Sequence, residues 1–258
     1  MSEDLQFATQ FAERAGREMV AHRATTRRSK KLDRTDVTDE DKRLNRAFIG
    51  AVRRREGNAA SVKGEELSSM IAGARRVWTI DPIDGTGEYI DDTIQDGKRT
   101  TCIGISLFID GVLVLAVVYN PFRREIFVAD LEGATTLLNG RRVTCTSASL
   151  RRGMRYDYCH WDGTRHDVRG LERTLGRPLG VYSAIYQACM VAAGRSAFAV
   201  FPGDTIHDIA PGARLVLGAG GRVTDLRGRS LQWNDLSHGV IFACRSVHAE
   251  ALRAIAAL

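Results

Sequence analysis

Trp78-Thr79-Ile80-Asp81-Pro82-Ile83-Asp84-Gly85-Thr86 is the stretch on which the reading of this chain turns. An apolar run enters it, two carboxylates stand three positions apart with a proline between them, and a Gly-Thr pair follows where a helix can begin. The proline holds Asp81 extended and removes a backbone donor, so a strand end is expected to carry Asp84 forward beside Asp81. Gly85 and Thr86 leave amide groups exposed at a helix start, where a phosphate can sit opposite cations held by the two aspartates. A D-x-x-D pair alone would read better as a tight turn with two solvated acids; the complete string is far more specific.

Upstream, Leu5, Ala8, Ala12, Ala15 and Met19 recur at three- and four-residue steps and predict an amphipathic first helix. The basic segment from His22 to Lys31 lacks periodicity and reads as a loop or helix end. Thr38 is placed as the N-cap of a second helix, with acids in its first turn, Leu44, Phe48, Ala51 and Val52 on its buried face, and Gly57 at its end. Downstream, Cys102 to Phe108, Val112 to Tyr119 and Glu125 to Ala129 predict successive strands, and Asn139-Gly140 predicts a hairpin. The polar stretch from Asp91 to Lys98 reads as a loop over the pocket or an ordinary surface excursion. Residues 171 to 176 read as helical, Ser183 as the start of a helix through Val191, and Phe198 to Phe201 as a strand. Asp208 is placed as the N-cap of a helix with Pro211 in its first turn, running to Gly220-Gly221; a last strand at 240–244 and a terminal helix at 248–258 complete the pattern.

At 258 residues the chain can form one large domain or two modest ones, and 44% apolar with 26% charged residues is an ordinary globular balance. The net charge of +6 comes with arginine pairs and triplets that suit anionic ligands, yet they are scattered and not interleaved with aromatics as a nucleic-acid track would be. The 5 cysteines form no C-x-x-C pair and are odd in number, which favours a reducing cytoplasm over a disulfide framework. Acids near the N-terminus disfavour a signal peptide, and no apolar run is long enough to cross a bilayer.

The Trp78–Thr86 string resembles the signature of the inositol monophosphatase family, Mg²⁺-dependent, lithium-sensitive phosphatases that include sugar phosphatases, fructose bisphosphatases and bisphosphate nucleotidases. Three further stretches share in the resemblance. Asp36-Val37-Thr38 with Asp41 matches a D-x-V-T-x-x-D motif, which implies that Asp41 orients the attacking water and that a preceding lysine, Lys30 or Lys31, lies near the phosphate. Gly64-Glu65-Glu66 matches a G-E-E motif whose first glutamate binds metal. His207-Asp208-Ile209-Ala210 resembles a Trp-Asp-x-Ala motif whose aspartate completes a second metal site.

The resemblance therefore implies catalytic roles for Asp41, Glu65 and Thr86, metal ligands at Glu65, Asp81, Ile83, Asp84 and Asp208, and substrate contacts at Lys31, Gly85, Thr86, Ser183 and Asp204. It spans roughly Lys30 to Gly221 and implies two or three Mg²⁺ ions; oxygen ligands without nearby His or Cys also disfavour zinc. The implied architecture is a layered αβαβα, mixed α+β and α/β fold. Residues 1–145 would form an N-terminal α+β half carrying most ligands, and 146–258 a C-terminal α/β half closing the site. The implied activity is hydrolysis of a small sugar, cyclitol or inositol phosphate by a cytoplasmic homodimer without nucleic-acid or membrane partners. His207, Pro211 and Gly218 depart from the family pattern, as do Phe201-Pro202-Gly203 where an inositol-contacting acid is usual. Glu88-Tyr89 looks more like a 3′(2′),5′-bisphosphate nucleotidase, which is the alternative activity; a catalytically silent binding protein on the same fold is another.

Overall fold

The computed structural model describes residues 2–31, 35–145, 150, 153–158, 169–201, 203 and 205–257. Its helices are α1 (Glu3–His22), α2 (Asp39–Glu56), α3 (Thr86–Ile90), α4 (Arg169–Leu175), α5 (Ala184–Ala192), α6 (Ile206–Gly218) and α7 (His248–Ala256). Strands β1 (Arg28–Lys30) and β2 (Asp36–Thr38) pair with each other. The main sheet holds β3 (Ala60–Gly64), β4 (Ser68–Ser69), β5 (Arg76–Asp84), β6 (Cys102–Ile109), β7 (Val112–Asn120), β8 (Glu125–Asp130), β9 (Thr135–Leu138) and β10 (Arg141–Val143). Its order is β10-β9-β8-β7-β6-β5-β3-β4, antiparallel except where β3 runs parallel to β5. A second sheet, ordered β11-β12-β14-β13, holds β11 (Asp157–Tyr158), β12 (Phe198–Phe201), β13 (Arg222–Asp225) and β14 (Val240–Ala243).

Two hydrophobic cores stack these elements into alternating layers of helix and sheet. Phe11 and Met19 of α1 and Phe48 and Val52 of α2 bury against Trp78, Ile80 and Ile105 on one face of the main sheet. Phe7 and Phe48 meet the Trp78 ring edge-on, and the indole N–H donates to Glu56 Oε1 at 2.9 Å. On the other face, α5 and α6 fill the space between the main sheet and the smaller one, and α7 packs beyond it on β14. Close approach is built in at Gly104, where a Cβ would run into the Ile185 side chain, and at Gly212, where it would lie 2.5 Å from Ala188 Cβ.

What positions the site is a fault in β5. Asp81 pairs with Gly104 and Asp84 with Cys102, so β5 carries one residue more than β6 between these pairs. Side chains alternate along a strand, and residues three apart in a regular strand point to opposite faces. The bulge around Pro82 cancels that alternation and brings both carboxylates to one side. Because β3 runs parallel to β5, Gly64-Glu65 emerges at the same end, with Glu65 N donating to Ile80 O at 3.1 Å.

Two local expectations are corrected. The 22–31 segment holds a 3₁₀ turn and the exposed strand β1, held by Arg28 and Lys30 against Asp36; a strand with neither face buried leaves no hydrophobic pattern to read. Helix α6 begins at Ile206 with Thr205 as N-cap, so Asp208 is its third residue and Pro211 falls in the second turn. The Thr205 hydroxyl donates to Asp208 Oδ2, leaving the carboxylate beside the first turn rather than capping it.

Candidate metal centre

Asp81, Asp84 and Asp208 each offer a carboxylate oxygen, and the three oxygens lie within 4.8 Å of one another. Their positions are fixed from three directions. The bulge delivers Asp81 and Asp84, while α6, packed across β5 and β6, delivers Asp208 from the far end of the chain. Asp84 is also held by the start of α5: Ile185 N donates to Oδ2 at 2.7 Å, Ala184 N to Oδ1 at 3.3 Å, and the Ser183 hydroxyl and Cys102 thiol point at Oδ2. Ser183 is fully buried and also caps α5 by accepting from Tyr186 N at 3.0 Å. Asp81 Oδ1 accepts from Ile83 N at 3.0 Å, closing the turn around Pro82.

The electrostatics are those of acids gathered out of water. Burial, then the Asp208 charge, pushes the Asp84 carboxyl up to about 7. Burial together with Glu65, Asp84 and Asp208 raises Asp81 well above the ordinary carboxylate range. Burial raises Asp208 as well, partly offset by the His207 ring, whose Nε2 lies 3.9 Å from Oδ1.

A second group joins the first through Glu65. Carboxylate oxygens of Asp41, Glu65 and Glu66 again lie within 4.8 Å of one another. Asp41 sits in the first turn of α2 in a reciprocal capping box: its Oδ2 accepts from Thr38 N at 2.8 Å, and its own N–H donates to Thr38 Oγ1 at 3.3 Å. Burial, then the Glu65 and Glu66 charges, pushes its carboxyl up to about 7 against the pull of Thr38. Of the two lysines, Lys31 faces this group, with Nζ 2.6 Å from both Glu65 Oε1 and Glu66 Oε1, whereas Lys30 pairs with Asp36 at 2.9 Å. Burial would lower the Lys31 ammonium, but the two glutamates outweigh it and hold it above its usual value.

Between the groups, the Thr86 hydroxyl is 2.9 Å from Ile83 O and 3.4 Å from Asp41 Oδ1. The Ile83 side chain is buried, so its carbonyl is the one group there with a lone pair to offer. Gly85 turns the chain in the left-handed region (φ 84°) into α3, a conformation a Cβ would strain. Asp204 lies outside the described residues. Glu88 is buried, its carboxylate accepting from Thr100 N at 2.8 Å and Thr100 Oγ1 at 2.5 Å, and the Tyr89 hydroxyl donates to Met19 O at 2.9 Å. Glu88 therefore holds the chain after α3 in place, and Tyr89 ties α3 to α1. Arg99, fully buried, gathers the 88–96 segment by donating to the carbonyls of Glu88, Asp91 and Ile94.

Sequence reasoning missed Asn45, Cys102 and Thr205. Asn45 had a signal: it stands one turn after Asp41 on the buried stripe of α2 with Phe48 and Val52, where a polar side chain must have partners. Cys102 and Thr205 had none, because their relevance depends on which element lands beside them.

The donor set of both groups is carboxylate oxygen alone, which fits a hard divalent cation and suits zinc or copper poorly. A cation also answers the mutual repulsion that raises these carboxyls. The chain matches the profile of the Inositol monophosphatase family over residues 1–257. A fructose-1,6-bisphosphatase/inositol-1-monophosphatase of Thermotoga maritima is 29% identical over 220 residues, covering 85% of this chain and 82% of that protein. A histidinol-phosphatase of Chlorobaculum parvum is 30% identical over 241 residues, covering 89% and 88%. Among solved structures, a Thermotoga maritima IMPase superposes with a TM-score of 0.87 at 26% identity, covering 99% of this chain and 98% of that one. Alternating helix and sheet layers, paired carboxylate groups and a match running the length of the chain lead to one conclusion: it belongs to the metal-dependent inositol monophosphatase family of phosphoric monoester hydrolases.

Proposed function

We propose that this enzyme hydrolyses a small sugar, cyclitol or inositol phosphate with Mg²⁺ as its cation. The observation that carries the reading is the convergence of Asp208 on Asp81 and Asp84, with Glu65 and Asp41 alongside, in an all-oxygen donor set. Glu65, Asp81, Asp84, Asp208 and the Ile83 carbonyl would hold two or three cations. Bound cations supply the positive charge that draws in phosphate oxygens and makes water acidic enough to attack near neutral pH.

This chain's own groups do the rest. Thr86 and Asp41 stand where an attacking water can donate to both, the hydroxyl keeping lone pairs free while its proton goes to Ile83 O. Asp41 Oδ2 is fully engaged with Thr38, so the acid cannot swing away and Oδ1 is the atom that would receive the water's proton. Lys31 would meet the phosphate from the Glu65 side, and the turn at Gly85-Thr86 would present backbone amides to it. Ser183 would serve the site by fixing Asp84.

The likeness to relatives with different printed substrates supports the phosphatase class more than any one ester. The nucleotidase alternative draws on Glu88-Tyr89 and the arginine content, and Glu88 Oε2 and the Tyr89 hydroxyl are both engaged within the fold. A phosphate-release screen over sugar, inositol, histidinol and nucleoside bisphosphate esters with Mg²⁺ tests the proposal. Rapid turnover of a sugar or cyclitol phosphate is expected; release from the bisphosphate alone, or from no ester, would overturn it. The cysteine pattern and the family likeness lead us to place the enzyme in the cytoplasm as a homodimer, which sedimentation would test.

A further inference from the structure

We infer that Asn45 is the positioning residue for the Glu65–Glu66 turn, its side-chain amide fixing that turn at the height on α2 where the glutamates face Asp41. Asn45 is fully buried, and both ends of its amide are used on the same short loop. Its Oδ1 accepts from Glu66 N at 3.0 Å and Leu67 N at 3.1 Å, while its Nδ2 donates to Leu67 O at 2.9 Å. These are backbone groups of a turn that has just left β3 and has no strand partner to satisfy them. A carboxamide accepts through its oxygen and donates through its nitrogen at once; a carboxylate lacks the donor and an ammonium the acceptor.

The neighbouring residues are arranged around this clamp. A Cβ at Gly64 would lie 2.6 Å from Asn45 Nδ2 and 2.5 Å from Leu67 O, so glycine makes the room the amide occupies. Asn45 follows Asp41 by four residues on α2, so the acid and the amide share one helix face about one turn, or roughly 5–6 Å, apart. Helix α2 thus sets both sides of the Asp41–Glu65–Glu66 group: it carries Asp41 itself and, through Asn45, fixes where the glutamates stand. Without the amide the turn would keep its anchor on β5 through Glu65 N but lose what orients the chain beyond it, and part-buried N–H and C=O groups would lose their partners.

The inference rests on the proposed reading that Glu65 holds a cation, and the test separates the two. Mn²⁺ binding to the metal-free protein is measured by the electron paramagnetic resonance of free Mn²⁺ in wild type, Asn45→Ala, Glu65→Gln and the double variant. Asn45→Ala should bind Mn²⁺ at least about tenfold more weakly, and it should cost little further in the Glu65→Gln background, because Asn45 acts through that carboxylate. A purely structural role would lower the melting temperature, leave Mn²⁺ affinity within about threefold of wild type and add fully in the double variant. Asn45→Gln keeps a carboxamide that can both accept and donate, and guards against an alanine variant that does not fold. It should bind Mn²⁺ clearly more tightly than Asn45→Ala, and a folded Asn45→Ala that binds as tightly as wild type overturns the inference. If Glu65→Gln alone binds normally, the assignment of Glu65 fails; if Glu65→Gln is weak while Asn45→Ala is normal, the clamp fails.

Discussion

Stripped of divalent cations by a chelator, the protein should lose stability as the pH rises from about 5 to about 8, and Asp84 gives the effect its scale. Its folded-state pKa is about 7 against an ordinary 3.8, because burial and the Asp208 charge oppose ionisation. The folded state therefore binds this proton more tightly than the unfolded chain does, so stability is greatest at low pH and falls as pH climbs from 3.8 through 7. The full interval corresponds to about 4 kcal/mol, and the part between about pH 5 and 7 to roughly 3 kcal/mol, or at least about 6 °C in melting temperature. Asp41 and Asp157, each raised to about 7 chiefly by burial, act in the same direction. His248, lowered by burial, opposes them below its usual value, so the informative quantity is a difference between proteins. Thermal melts of wild type and Asp84→Asn in chelator across this range should show a clearly shallower decline in the variant. Saturating Mg²⁺ should remove most of the decline in wild type and little in Asp84→Asn. Parallel pH profiles for the two proteins, or a metal-free wild type whose stability rises toward pH 8, would refute the reasoning.

Other outcomes follow from the same geometry. Asp208→Asn should lower phosphate release by at least about two orders of magnitude with unchanged far-ultraviolet circular dichroism, since the donor set loses a charge while α6 keeps its packing. The family resemblance, and not the geometry, leads us to expect that titrated Li⁺ inhibits turnover; turnover indifferent to Li⁺ would count against that resemblance. Thr38→Ala should cost about 1 kcal/mol in denaturant unfolding through the lost cap, and should lower kcat as well because Asp41 loses its tether. Gly104→Val should destabilise by roughly 1–3 kcal/mol by driving β6 into Ile185 and Pro211.

Much of this was legible in the residues. The amphipathic period of Leu5 to Met19, the Thr38 cap, Gly57 and the Asn139-Gly140 turn act through neighbours close in sequence, and α1, α2 and the β9–β10 hairpin lie where those signals put them. Asp81 and Asp84 were recognisable as a pair, but the reason both face one way is the bulge, whose extra residue shows only against the register of β6. The cap reading of Ser183 holds, since its hydroxyl accepts from Tyr186 N; that the same hydroxyl donates to Asp84, a partner from a distant strand, has no local signal. Glu88-Tyr89 shows in sequence only a likeness to the nucleotidases, because local sequence cannot reveal that Thr100 returns to cover Glu88. Exposed β1 and two-residue β4 carry too little buried surface to leave a pattern, and Thr205 rather than Asp208 stands at the N-cap position of α6, without a side-chain capping bond. The signals that failed to appear were those created by tertiary contact.

The most direct measurement is anomalous scattering from crystals soaked in Mn²⁺. The account predicts strong peaks within coordination distance of Asp208 together with Asp81 and Asp84, and of Glu65 with Asp81. Ordered crystals with no peak between Asp208 and the β5 carboxylates, or with Mn²⁺ bound solely elsewhere on the surface, would contradict it.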